Sequence, residues 1–270
     1  MDKIGLQMYT VRDHMKTLDD LKVTLGKLRD IGLTNIQTTA PGYITPEDYA
    51  KLLAVYGMKA DSAYLGTGEI NFDDSVSIDA AAEKIKRQIS AYGCSVVRTN
   101  SIPQELRADA DGYKKYAEIL NREGKMCREL GCKYIYHFHA FEFVTFGYTR
   151  GIDILLNDTD PTCVFFQPDV FWLTNAGTEP SVSLKMFAGR CFWIHVKDYA
   201  IKQLTGVVEN VPFRFASVGE GNLNWQGIFK TAKEIGIERF VIEQDSCTGD
   251  VFEAVKTSFD NLCRFIELYK

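Results

Sequence analysis

Short apolar runs rich in β-branched and aromatic residues alternate along the chain with longer segments whose apolar positions recur at helical spacing. The strand candidates are 3–9, 34–39, 59–65, 95–100, 134–139, 163–169, 191–198 and 239–245. Between them, helical periodicity predicts helices over 17–30, 46–56, 77–92, 111–130, 151–157, 179–188, 224–235 and 250–269. Gly32, Gly57, Gly93, Gly131 and Gly236 each stand just past a helical segment, where a left-handed residue ends a helix. Thr17 and the pair Thr45-Pro46 read as helix starts. Eight alternations with no linker or low-complexity break predict a closed (β/α)8 barrel occupying 1–270 as one domain. The open doubly wound sheet is the weaker fit, because its first strand should lead into a glycine-rich turn and this chain has Tyr-Thr-Val-Arg-Asp-His at 9–14.

Composition narrows the function classes. With 270 residues the chain can bury a core without disulfide staples. A net charge of -5 argues against a nucleic-acid-binding surface. No apolar run approaches the ~20 residues of a membrane span, and the start lacks the pattern of a signal peptide, so a soluble, cytoplasmic protein without membrane partners is expected. Seven scattered cysteines without a CxxC pair fit buried apolar residues in a reducing compartment better than zinc fingers or a disulfide framework.

Barrel chemistry sits at the C-terminal ends of the strands, so residues there that a core would refuse are informative. Strand five ends with His137, His139 and Glu142, strand six with Asp169, and strand eight with Glu243 and Asp245 on one face. Strand seven places His195 and Lys197 on one face and Asp198 on the other. Three of the four histidines fall at these ends; His14 follows strand one. One strand-end acid is often only a helix cap, but four adjacent strands tipped with carboxylate or imidazole need a cation to offset them. A divalent metal supplies it, with Mn²⁺, Mg²⁺ or Co²⁺ favoured by an oxygen-rich site and Zn²⁺ as the alternative.

These segments resemble the xylose isomerase-like barrels of the sugar phosphate isomerase/epimerase superfamily, over nearly the whole chain. Gly-Leu-Gln-Met-Tyr-Thr-Val-Arg-Asp at 5–13 is similar to the family's first strand and turn, and Tyr-His-Phe-His-Ala-Phe-Glu-Phe at 136–143 to its strand-five motif, with Phe138 where relatives carry asparagine. The segment 168–180 is similar to strand six, His-Val-Lys-Asp at 195–198 to strand seven, 217–225 to the loop before the seventh helix, and 241–245 to strand eight. The resemblance implies a metal held by a strand-five acid, Asp169, His195 and Glu243. Glu142 is the preferred strand-five ligand, with His137 or His139 as its substitute or as an acid/base group.

The chemistry implied is proton abstraction beside a carbonyl of a sugar or cyclitol, with a metal-stabilised enediolate. Glu142, Glu243, His137 and His139 are the candidate bases. Lys197 and Arg214 are candidates for binding substrate oxygens, a carboxylate or a phosphate, and Trp172 and Tyr9 for stacking on a sugar face, against surface charge and barrel-mouth packing. Isomerisation or epimerisation of a keto-sugar is the leading expectation. Elimination, as a lyase or dehydratase on keto-inositols or 3-keto-glycosides, is its nearest rival. An apurinic endonuclease wants more histidines and a basic face, and a non-catalytic sugar-binding barrel could dispense with the ligands. The Gly-Glu-Gly-Asn turn at 219–222 reads as structural, with Glu220 helping to cap a helix rather than binding phosphate. A homo-oligomer is compatible with all of this.

Overall fold

The computed structural model describes residues 3–37, 41–202 and 213–269. Eight parallel staves form the centre. They are Ile4–Gln7 (β1), Asn35–Gln37 (β2), the interrupted pair Lys59–Ala60 and Ala63–Tyr64 (β3), Val96–Asn100 (β4), Lys133–His137 (β5), Val164–Gln167 (β6), Trp193–Val196 (β7) and Arg239–Ile242 (β8). Hydrogen-bonded pairing runs from β7 through β8, β1 and β2 to the first half of β3, and from its second half through β4 and β5 to β6. The remaining seam, between β6 and β7, closes through an Asp169–His195 bridge, with His195 N–H donating to Pro168 O at 2.8 Å. The barrel is therefore closed, as the alternating pattern predicts. The expected end of strand two at 38–39 lies outside the described residues.

The crossover helices are Leu18–Ile31 (α1), Pro46–Val55 (α2), Ser75–Tyr92 (α3), Ala110–Glu129 (α4) and Gly151–Asp158 (α5). They continue with Val170–Asn175 (α6), Pro180–Ser183 (α7), Trp225–Glu234 (α8) and Val251–Leu268 (α9). Thr17 opens α1 with a reciprocal cap to Asp20, and Gly32 closes it at φ 106°, a backbone setting that costs an L side chain energy. The helix predicted over 179–188 is a short α-turn continued by a 3₁₀ turn at Leu184–Phe187. Periodicity did not anticipate α6, which is too short to show a repeat and begins where Asp169 caps it.

Three further pieces shape the mouth. A 3₁₀ segment, Met8–His14, follows β1 and carries Tyr9 and Arg12. One hairpin pairs Thr145–Phe146 with Thr149–Arg150, and a second pairs Asp198–Ile201 with Phe213–Ala216. The Asp198 carboxylate anchors the 219–223 loop, accepting from Gly219 N (2.9 Å), Gly221 N (3.0 Å) and Trp225 Nε1 (2.7 Å). A Cβ on Gly221 would lie 2.2 Å from that carboxylate, so the Gly-Glu-Gly-Asn turn is a close backbone approach and Glu220 stays exposed. No helix among the described residues is long and apolar enough to cross a membrane.

Candidate metal centre

The inward faces of β5 to β8 bring His137, Asp169, His195 and Glu243 together. Each offers one ligand atom, and these four atoms lie within 4.8 Å of one another. All four residues are buried, Asp169 and His195 completely. The period of two along β7 puts His195 and Lys197 on the same inward face, and on β8 it does the same for Val241, Glu243 and Asp245.

Three of the four side chains are aimed by a contact behind them. His195 meets Gln37 Oε1 through Nε2 at 2.6 Å, and Gln37 is held by Gln7 Nε2 at 3.3 Å. Because the amide oxygen can only accept, that bond puts the ring proton on Nε2 and leaves the Nδ1 lone pair facing the cluster. His137 Nδ1 lies 3.2 Å from the Gln167 carbonyl, which likewise leaves Nε2 as its bare nitrogen. Asp169 Oδ1 accepts from Phe171 N (2.8 Å) and Trp172 N (3.3 Å) at the start of α6, freeing Oδ2.

The inner atoms carry the test of whether a cation fits. Asp169 Oδ2, His195 Nδ1 and Glu243 Oε2 are buried and form no hydrogen bond. His195 Nδ1 faces Glu243 Oε2 at 3.2 Å, one lone pair against another. The Lys197 ammonium stands 2.9 Å from Glu243 Oε2 and 3.2 Å from Asp169 Oδ2, but nothing donates to His195 Nδ1, and a dication would make each contact among these acceptors attractive. The donor set fits a divalent metal. It holds two nitrogens and two oxygens, a mixed set compatible with the expected Mn²⁺, Mg²⁺ or Co²⁺ and with Zn²⁺.

Lys197 stands at the edge of this cluster, its ammonium 2.9 Å from Glu243 Oε2, 3.2 Å from Asp169 Oδ2 and 3.1 Å from both oxygens of Asp245. Burial works against its charge, yet those three carboxylates hold its pKa above the ordinary lysine value. Burial also pushes Asp169 up to about 6, with Lys197 pulling the other way. Burial would raise Glu243 as well, but the Lys197 ammonium holds it well below the usual carboxylate range. His139 is pushed down to about 4 by burial and by the Lys197 charge, and its Nδ1 lies 3.3 Å from Ser101 Oγ.

Glu142, the expected strand-five ligand, is not in the cluster. It sits on a 3₁₀ turn at Phe141–Phe143, completely buried, with Oε1 accepting from Tyr136 OH and Oε2 from His139 N at 2.9 Å. Both oxygens are engaged away from the metal ligands, and burial raises its pKa to about 7. His137 fills the strand-five position instead, because it is the last residue of the stave and faces inward, whereas the turn after it carries Glu142 behind the wall. Arg214 is also corrected. It lies exposed on the hairpin outside the mouth and does not line the cavity.

That cavity has a volume of about 910 Å³ and opens above the cluster. Tyr9, Trp172, Lys197, His137, His139 and Glu243 all line it. So do Arg98, Asn100 and Ser101 at the end of β4, which sequence reasoning did not single out. Gln37 was missed as well. The signal for Gln37 and Arg98 was present: each is polar at an inward position of a barrel strand, where apolar packing is the rule.

A family model described as xylose isomerase-like TIM barrel matches residues 25–261. Inosose dehydratase of Clostridium beijerinckii is 30% identical over 152 residues, covering 52% of this chain and 50% of that protein. The chain thus spans about half the length of the curated relatives it matches. A solved sugar phosphate isomerase/epimerase from Parabacteroides distasonis is 25% identical, with a TM-score of 0.79 over 97% of this chain and 94% of that one. The IOLI protein, solved with a bound zinc atom, shares the fold at a TM-score of 0.74 and 17% identity, over 99% of both chains.

Proposed function

The chain belongs to the xylose isomerase-like TIM barrel family, and on that premise we propose that it is a divalent-metal-dependent enzyme that dehydrates a keto-cyclitol or keto-sugar. The observation that carries this reading is the sealing of Glu142 behind Tyr136 and His139, which leaves His139 as the cavity-lining imidazole outside the metal cluster and so as the proton carrier.

A bound dication would polarise the ketone oxygen and stabilise the negative charge that develops when the neighbouring C–H loses its proton. His137, Asp169, His195 and Glu243 would hold it. Lys197, kept protonated by three carboxylates, adds a fixed positive charge beside the reacting oxygens. Ser101 meets His139 at Nδ1, so Nε2 is the ring nitrogen left for the substrate. Neutral at pH 7, it accepts the α-proton. As imidazolium, with a pKa of about 4, it hands that proton to the hydroxyl on the next carbon. The C–O bond breaks, a C=C bond forms and water leaves. One residue acting on one face suffices for elimination, whereas epimerisation wants bases on both faces of the carbon. Similarity to inosose dehydratases supports the same direction.

Isomerisation or epimerisation is the second reading, favoured by the likeness to the sugar phosphate isomerase/epimerase. The test is zinc- and manganese-loaded protein with an inosose in deuterated water, followed by NMR. Dehydration gives α-deuterium exchange together with loss of a β-hydroxyl. An epimer retaining every oxygen would establish the second reading, and metal-loaded protein that catalyses neither exchange nor product formation on an inosose, a keto-sugar or a polyhydroxylated keto acid would refute both.

A further inference from the structure

The cavity holds a buried cation that this proton chemistry does not use. Among the described residues two lysine or arginine side chains are buried, Lys197 and Arg98. Lys197 has its three carboxylates. Arg98 lies on the inward face of β4, one strand round from His137, and is 6% exposed. Its guanidinium makes one hydrogen bond, from Nη1 to Asn100 Oδ1 at 3.2 Å. Its Nε is buried with no partner, and it forms no ion pair among the described residues. The Tyr64 ring, 4.8 Å away, supports it from the side. By contrast Arg239, at the other end of the barrel interior, is matched to Asp61 at 2.8 Å.

A guanidinium with five donors, one of them used, is an expensive group to bury unless something completes it. Arg98 lines the substrate cavity. Resting on the metal-dependent reading above, we infer that Arg98 is a specificity residue that binds a carboxylate carried by the substrate, which makes the substrate a polyhydroxylated keto acid. Charge selects carboxylate over phosphate. Asp169, Glu243 and the half-buried Asp245 would be balanced by Lys197 and a dication, which leaves the charge of Arg98 to match a monoanion. Arg12, the other arginine lining the cavity, is committed to two backbone carbonyls, Tyr9 O at 2.8 Å and Asp245 O at 2.9 Å. A phosphate would bring nearly two negative charges to a single free guanidinium. Carboxylate also suits the planar fork of arginine, which pairs with it through two parallel bonds.

The experiment is calorimetric titration of zinc-loaded protein with sugar acids and their neutral parents: D-glucuronate against D-glucose, D-galacturonate against D-galactose, and D-gluconate against D-glucitol. D-glucose 6-phosphate is the phosphate arm. At least one acid should bind about ten- to hundredfold tighter than its parent, the range expected of hydrogen bonds to a charged group. Arg98→Gln should bind acid and parent alike, keep one zinc per chain and melt no lower than wild type, because it removes an uncompensated buried charge; a purely structural arginine would lower the melting temperature. Arg98→Lys, which keeps the charge and loses the fork, should recover only part of the preference, and it secures the test if the glutamine variant fails to fold. Absence of any preference for acids while zinc is bound one per chain overturns the carboxylate site and leaves the metal reading standing. An Arg98-dependent preference for the phosphate over every acid also overturns it. Wild-type protein that takes up no zinc would sink the reading beneath it, and the inference with it.

Discussion

Replacing Gln37 by leucine tests the metal centre through a residue that touches neither metal nor substrate. Gln37 Oε1 lies 2.6 Å from His195 Nε2 and is the only acceptor recorded for that ring proton among the described residues. Leucine fills a similar volume and accepts nothing. The His195 ring then has two unfavourable choices. It can keep its proton on a buried, unsatisfied Nε2, at a cost of about 1–3 kcal/mol. Alternatively, it can move the proton to Nδ1, where Glu243 Oε2 waits at 3.2 Å, and so cover the lone pair a metal needs. Either choice is paid out of metal affinity. Losses on removing such an outer partner run about 10–100-fold, or ~1.4–2.7 kcal/mol. Competition of Gln37→Leu against a chromophoric zinc chelator measures the dissociation constant, with circular dichroism to verify the fold. A folded variant that holds zinc within about twofold of wild type would refute the tautomer argument, and with it the assignment of Nδ1 as the inner atom of His195.

His137→Ala should lose zinc more severely than Gln37→Leu, because it removes one of the four inner atoms, whereas Glu142→Gln should keep one zinc per chain while losing about 1–3 kcal/mol of stability through an unmet donor. Elemental analysis of the two purified variants separates them, and zinc loss in Glu142→Gln with His137→Ala fully loaded would reverse the strand-five assignment. Away from the site, burial pushes Glu123 from 4.5 up to about 7 beside Tyr134. Between about pH 4.5 and 7 the folded chain keeps a proton there that the unfolded chain has released, so this group makes stability fall as pH rises through that window, by ~3 kcal/mol at its upper end. Glu123→Gln keeps an acceptor for Tyr134 and should gain that amount on wild type between pH 5 and pH 8 in denaturant titrations; a stability difference that does not change with pH would contradict it.

The fold was legible because a closed barrel repeats one local instruction eight times. Each apolar run is short, each helix is long enough to show its period, and five glycines mark the helix ends with positive φ. Elements below the length of a period were not legible. The six residues of α6 depend on Asp169 turning back to cap two N–H groups, and the two hairpins depend on cross-strand pairing that no local pattern encodes. The helix at 179–188 reads as continuous in its apolar spacing but tightens to 3₁₀ at Leu184, where the chain enters the loop before β7.

The site was legible to the extent that strand period alone fixes direction. Asp169, His195, Lys197 and Glu243 all lie on or beside a stave, and counting by two aims them inward. Glu142 lies five residues past His137, the last paired position on β5, where a turn rather than a strand decides what faces the cavity, so its acidity was a misleading guide. The exchange of a carboxylate for His137 also makes electrostatic sense. Lys197 already shares the inner oxygens of Asp169 and Glu243 and both oxygens of the half-buried Asp245, so three carboxylates face one ammonium. A dication closes that balance when the fourth ligand is neutral. A fourth carboxylate would leave an uncompensated negative charge beside the carbon where more negative charge must develop during proton removal. An imidazole at the end of β5 would thus let the cluster hold a dication alongside its lysine.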